Sequence, residues 1–121
     1  MRPILIAEDE PRIAAFMKKG LQRFLQATVE VEENGNTVLG KVTHGNFELL
    51  LLDLGLPGKD GVEILKELRQ KGLDLSVIVM TARAIDPQDN DLAKSLDAEI
   101  IGKPFRMTEL VQKVKAACQN P

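Results

Sequence analysis

The sequence predicts an α/β domain in which one parallel five-stranded sheet carries five helices, distributed over both of its faces. Short apolar runs alternate five times with segments of helical period. Four of those runs are apolar throughout, namely Ile4-Leu5-Ile6-Ala7, Leu49-Leu50-Leu51-Leu52, Val77-Ile78-Val79-Met80 and Ile100-Ile101, as strands buried on both faces require. No Ser-rich linker, internal repeat or low-complexity stretch interrupts the pattern. Residues 1–121 therefore read as one domain, with no room in them for a second, output module. Its 44% hydrophobic content is enough for a core without disulfides, and with four Phe and no Trp or Tyr that core is aliphatic.

The first helix starts at Pro11, tolerated where no intrahelical donor is needed, and Ile13, Phe16, Met17, Leu21 and Phe24 form its apolar stripe. The strand after it, Thr28-Val29-Glu30-Val31-Glu32, alternates polar with apolar and so suits a sheet edge. A weaker second helix carries Val38, Leu39 and Val42. The third runs from Gly61 to Lys71 with Val62, Leu65 and Leu68 inward, Asp60 as its cap and Gly72 as its stop. The fourth, Gln88 to Leu96, is polar and aspartate-rich, with Leu92 and Leu96 as anchors, and is a candidate mobile element. The fifth, Met107 to Gln119, puts Leu110, Val111, Val114, Ala117 and Cys118 on one face behind a Thr108 cap. Right-handed crossovers, with the alternating strand and the short Ile100-Ile101 strand at the edges, give the flavodoxin-like order 2-1-3-4-5.

Composition narrows the function classes. A formal charge of −2 provides no general attraction for nucleic acid, so direct nucleic-acid binding is not expected. The N-terminus lacks signal-peptide features and no apolar run reaches membrane-spanning length, so no membrane association is expected and the expected location is cytoplasmic. Cys118 is the sole cysteine and reads as a small core residue. His44, with no second imidazole or cysteine near it in sequence, reads as an exposed helix-end residue.

The functional signal lies at the strand ends. Glu8 and Asp9, Asp53, Thr81 and Lys103 each finish or follow an apolar run, so in a parallel sheet they emerge on one rim, where such sheets bind ligands. The predicted order makes the first and third strands neighbours and brings Glu8 and Asp9 beside Asp53. Carboxylates that close repel by about 4 kcal/mol per pair at 4 Å and an effective dielectric of 20. A bound Mg²⁺, a hard cation that takes oxygen ligands, would compensate. Asp53, directly after four leucines, is the acid least suited to a merely structural role.

The ordered set Glu8-Asp9-Glu10-Pro11, Leu52-Asp53-Leu54-Gly55-Leu56-Pro57-Gly58, Thr81-Ala82-Arg83 and Lys103-Pro104-Phe105 resembles the receiver domain of bacterial two-component response regulators (CheY-like), over nearly the whole chain. The resemblance implies a signalling domain rather than an enzyme. Asp53 would accept a phosphoryl group from a sensor histidine kinase or phosphotransfer protein. It implies Mg²⁺ as cofactor, with Asp9 and Asp53 as direct ligands, Glu8 acting through water and the Gly55 main-chain carbonyl completing the set. Lys103 and the Thr81 hydroxyl would each take a phosphoryl oxygen. Ala82 leaves room for Thr81 to move, Gly55 and Arg83 occupy positions that tune phosphate lifetime, and Pro104 follows the lysine in the pattern whose peptide bond is cis. The expected output is a shift of the surface of the fourth helix, fifth strand and fifth helix, read by a downstream protein or an attached output domain, with phosphorylation-dependent homodimerisation as an option.

Two positions depart from the pattern. Ile100 stands where most receivers carry Tyr or Phe, so no aromatic rotamer reports the change, and Asp97-Ala98-Glu99 replaces the usual Gly-Ala-Asp. Rival readings fit less well. A haloacid-dehalogenase-type phosphohydrolase needs an acid where Gly55 stands, and a flavin-binding module needs a neutral phosphate loop where Glu8-Asp9-Glu10 stands. A receiver-like interaction domain that works without phosphorylation is the remaining alternative.

Overall fold

A computed structural model of the chain describes residues 2–82 and 84–118. In chain order the elements are β1 (Ile4–Ala7), α1 (Pro11–Leu25), β2 (Val29–Glu32), α2 (Gly35–His44), β3 (Leu49–Asp53), α3 (Gly61–Gln70), β4 (Ser76–Thr81), α4 (Pro87–Ser95), β5 (Glu99–Gly102) and α5 (Met107–Cys118). All pairings are parallel and the strand order is β2-β1-β3-β4-β5. This is the predicted sheet, with the alternating strand β2 at one edge and β5 at the other.

Period-two alternation sends successive strand residues to opposite faces, so the sheet divides the core. Ile4, Ile6, Leu49, Leu51, Ile78, Met80 and Ile101 join Met17 and Leu21 of α1 and Leu110 and Val114 of α5. On the other face Leu5, Ala7, Leu50, Leu52, Val77 and Val79 pack with Val38 and Val42 of α2 and Ile64, Leu65 and Leu68 of α3. Every residue of β1 and β3 is buried, as expected for strands covered on both sides. No helix among the described residues is long and apolar enough to cross a membrane.

The caps explain where the helices begin. Pro11 opens α1 behind Glu10, Asn34 caps α2, and the Asp60 carboxylate accepts from the Val62 amide at 2.8 Å. Gly72, at φ +77°, takes the left-handed conformation that stops α3.

Several expectations are corrected. Phe16 and Phe24 are 49% and 59% exposed, not core. Successive helix residues turn by about 100°, so Phe16 projects to the side of the stripe centred on Met17 and Leu21. Phe24 sits in the last turn under the Arg23 guanidinium, 5.7 Å from its ring centroid. The buried residue of α4 is Ala93 and Leu92 is exposed, whereas Leu96, just past the helix, packs half-buried against the core as expected. That helix begins at Pro87, behind a reciprocal capping box in which Asp86 and Asp89 accept from each other's amides. Thr108 lies inside α5, whose first helical bond runs from the Leu110 amide to the Arg106 carbonyl. Gln119 falls outside the described residues.

Candidate functional site

Sheet register gathers the predicted residues. Ala7 of β1 pairs with Leu52 of β3, so Glu8, one step beyond, lies beside Asp53, the last residue of β3. Asp53 pairs with Met80, which places Thr81, the last residue of β4, next along the rim. Thr81 pairs with Gly102, and the amide of Lys103 donates to the Thr81 carbonyl at 2.7 Å. Four strand ends separated by up to 95 residues are thereby brought to one place.

Glu8, Asp53 and Thr81 are the buried polar residues among those described, at 1%, 6% and 4% exposure. Burying two carboxylates is expensive unless they are paired, and Lys103 pairs both. Its ammonium donates to Glu8 Oε1 at 2.6 Å and lies 3.2 Å from Asp53 Oδ2. The free oxygens are held by main chain: the Glu10 amide donates to Glu8 Oε2 at 3.1 Å and the Gly55 amide to Asp53 Oδ1 at 3.0 Å. Burial pushes the Glu8 carboxyl above the usual carboxylate range, against the opposing pull of its Lys103 bond. Burial would lower the Lys103 ammonium, but its bond to Glu8 and the charge of Asp53 outweigh that and hold it above its ordinary value.

Asp9 is exposed at the mouth of this cluster. One oxygen each from Glu8, Asp9 and Asp53 lie within 4.8 Å of one another. Such an all-oxygen set fits a hard divalent cation that keeps several waters and takes few carboxylates.

The remaining predicted residues flank this centre. Ala82 is exposed beside Thr81, and the Lys103–Pro104 peptide bond is cis. Ile100 packs against the core on the α2–α3 side and, with Leu54, Val79 and Leu92, lines a cavity of about 40 Å³ beneath α4. Arg83 lies outside the described residues. His44 ends α2, exposed and remote from the cluster in the fold. Sequence reasoning missed the direct Lys103–Glu8 bond, because a pairing over 95 positions leaves no local pattern. It also missed Arg69, whose guanidinium donates to the carbonyls of Leu73, Leu75, Leu96 and Asp97 at 2.8–2.9 Å.

Residues 4–115 match the model of the response regulator receiver domain. The chain belongs to that family. As a receiver it is 36% identical over 120 residues to the uncharacterized transcriptional regulatory protein YkoG of Bacillus subtilis, covering 97% of this chain and 51% of that protein. It is also 36% identical to the transcriptional regulatory protein PcoR of Escherichia coli, covering 95% of this chain and 50% of PcoR. The receiver thus spans about half the length of the curated relatives it matches. Among solved structures, the Francisella response regulator 1452 receiver domain superposes with a TM-score of 0.89 at 25% identity, covering 98% of this chain and 97% of that one. The response regulator TrrA of Thermotoga maritima, solved in complex with Mg²⁺-BeF, superposes with a TM-score of 0.84 at 35% identity, covering 97% and 99%.

Proposed function

We propose that this receiver accepts a phosphoryl group on Asp53 in a Mg²⁺-dependent reaction and signals through the surface built from α4, β5 and α5. The observation that carries the reading is a buried Asp53 at a strand end, with one oxygen beside Lys103 and the other on the Gly55 amide. The pairing holds the carboxylate in place while burial keeps it poorly solvated, which suits a nucleophile. The phosphodonor is the phosphohistidine of a sensor kinase or phosphotransfer protein. It approaches past a groove lined by Ile13, Phe16, Ala82, Lys103, Pro104 and Phe105.

In the transfer, an Asp53 oxygen forms a bond to phosphorus as the phosphorus–nitrogen bond breaks, and the electron pair of that bond stays with the imidazole. Lys103, already within reach of Asp53, moves its ammonium toward one transferring oxygen, and the Thr81 hydroxyl takes another. Asp9 and Asp53 would hold Mg²⁺, with Glu8 acting through water and the Gly55 carbonyl as a further ligand. The ion would supply charge neutralisation at the third oxygen. TrrA, 35% identical, was captured with Mg²⁺-BeF, which supports Mg²⁺ as the ion.

Phosphorylation adds nearly two negative charges to a rim whose positive partner is already engaged with Glu8 and Asp53. The Thr81 segment therefore reorganises, and α4 beyond it responds, with Ala82 giving room and Ile100 yielding into the cavity it lines. Arg83 and Gly55 set how fast water removes the phosphoryl group. The domain acts as a signalling module rather than a turnover enzyme. Its output passes to a downstream protein or an attached output domain, not to nucleic acid bound by these residues. The rival reading, an interaction domain independent of phosphorylation, separates cleanly by intact mass after incubation with acetyl phosphate. A gain of one phosphoryl group that needs Mg²⁺ and is absent from Asp53→Ala supports a working receiver, and no gain supports the rival.

A further inference from the structure

The loop joining β3 to α3, residues 54–60, reaches Asp53 through the Gly55 amide, and its outer side rests on the first turn of α2. There the contact is backbone on backbone. The Gly35 amide donates to the Pro57 carbonyl at 2.9 Å. Gly35 is buried, and a Cβ at that position would stand 2.5 Å from the Lys59 carbonyl oxygen, 2.9 Å from the Lys59 nitrogen and 3.2 Å from the Pro57 oxygen. No rotamer change relieves a clash with main chain. From the loop side, Gly58 has φ +93°, and a Cβ on it would meet Asn34 Oδ1 at 2.5 Å and Asn36 Nδ2 at 2.9 Å. Asn34 is itself fixed, since its Oδ1 caps α2 through the Asn36 amide at 2.7 Å. Gly40, on the same helix, has nothing within 4 Å of its would-be Cβ.

We propose that Gly35 is a positioning residue for Asp53: by letting the start of α2 meet the backbone of the 54–60 loop, it sets Gly55 where its amide holds the Asp53 carboxylate. This deepens the phosphoacceptor reading and rests on it. An alanine at position 35 forces the contact to open by about half an ångström, and the loop is the part free to move, because α2 is anchored by Val38 and Val42 in the core. Misplacement of 1 Å in a reacting group costs about a hundredfold in rate, so about half that distance costs about tenfold.

The test compares wild type, Gly35→Ala and Gly40→Ala by three readouts: the amide resonance of Gly55 in metal-free protein, Mg²⁺ affinity by calorimetry, and the rate of phosphoryl gain from acetyl phosphate at saturating Mg²⁺. Gly40→Ala is expected to keep the wild-type rate and Gly55 resonance, with a melting temperature no lower than wild type. Gly35→Ala is expected to shift the Gly55 resonance, weaken Mg²⁺ binding and react about tenfold more slowly. A folded Gly35→Ala with an unmoved Gly55 resonance and the wild-type rate overturns the proposal. Should Gly35→Ala not fold, Gly58→Ala presses on Asn34 and Asn36 in the same seam between the loop and the start of α2, and an unmoved Gly55 resonance there overturns the proposal that this seam sets Gly55. If wild type itself gains no phosphoryl group, the phosphoacceptor reading fails, while the metal-free resonance still decides whether Gly35 positions the loop.

Discussion

Helices α3 and α4 are consecutive, nearly equal in length at 10 and 9 residues, and adjoin the same side of the sheet, yet they are held in opposite ways. α3 buries Gly61, Ile64, Leu65 and Leu68. α4 buries Ala93 and sits over a cavity of about 40 Å³. What fixes α4 lies at its ends. At the N-terminus Asp86 and Asp89 cap each other. At the C-terminus the chain turns through Asp97 at φ +54°, the Ala98 amide returns to the Ala93 carbonyl at 2.8 Å, and Arg69 of α3 donates to the Leu96 and Asp97 carbonyls. A helix held by polar contacts at its ends rather than by apolar area along its length can shift without opening the core. In this receiver it is the helix that follows Thr81.

The contrast can be broken at graded points. Leu65→Ala, in the centre of α3, is expected to cost about 2–5 kcal/mol of unfolding free energy. A denaturant midpoint within error of wild type would show that α3 is not a core helix. Arg69→Met removes the hydrogen bonds of one guanidinium to four carbonyls and is expected to cost about 2 kcal/mol. Amide exchange should speed up in α4 and the 71–75 loop while the centre of α3 stays protected, and uniform loss of protection would refute the clamp. Asp86→Ala removes the cap and should cost about 1 kcal/mol, with faster exchange in the first turn of α4. Leu92→Ala, at 36% exposure, should cost about 1 kcal/mol or less, well below the loss at Leu65. A loss as large as that of Leu65→Ala would mean that α4 is core-held after all.

A further effect is confined to alkaline solution. The Lys103 ammonium is held above its ordinary value in the folded protein. Its contribution is therefore complete below the unfolded lysine pKa, about 10.4, and lost as pH rises through the higher folded value. In Mg²⁺-free buffer the stability of wild type should fall more steeply above that point than that of Lys103→Met. Parallel profiles would place the Lys103 charge outside the folded balance.

Much of this was legible in the chain because parallel strands buried on both faces announce themselves as unbroken apolar runs. A polar residue set directly after such a run has its position dictated by the strand. Glu8, Asp53, Thr81 and Lys103 are thus placed on one rim by the sequence pattern alone. Phe16 was misread because an apolar residue at the margin of a helical stripe looks the same in sequence whether or not a neighbour covers it. Leu92 was misread for the same reason, while Ala93 is small enough to be overlooked. Arg69 gave no signal at all, since an arginine near the end of an amphipathic helix ordinarily faces solvent and its four acceptors are main-chain carbonyls. The Lys103–Glu8 bond and the seat of the 54–60 loop on Gly35 depend on register and on the close approach of backbones. Those are set by the whole fold and not by any local segment.

The most direct test of the central claim is to locate the phosphoryl group. Protein incubated with acetyl phosphate and Mg²⁺ is reduced with borohydride, which converts an aspartyl phosphate to homoserine, and then digested and sequenced by mass spectrometry. Homoserine at position 53, and aspartate at position 9, is the predicted result. Homoserine at Asp9 or at another acid, with Asp53 intact, would contradict the account.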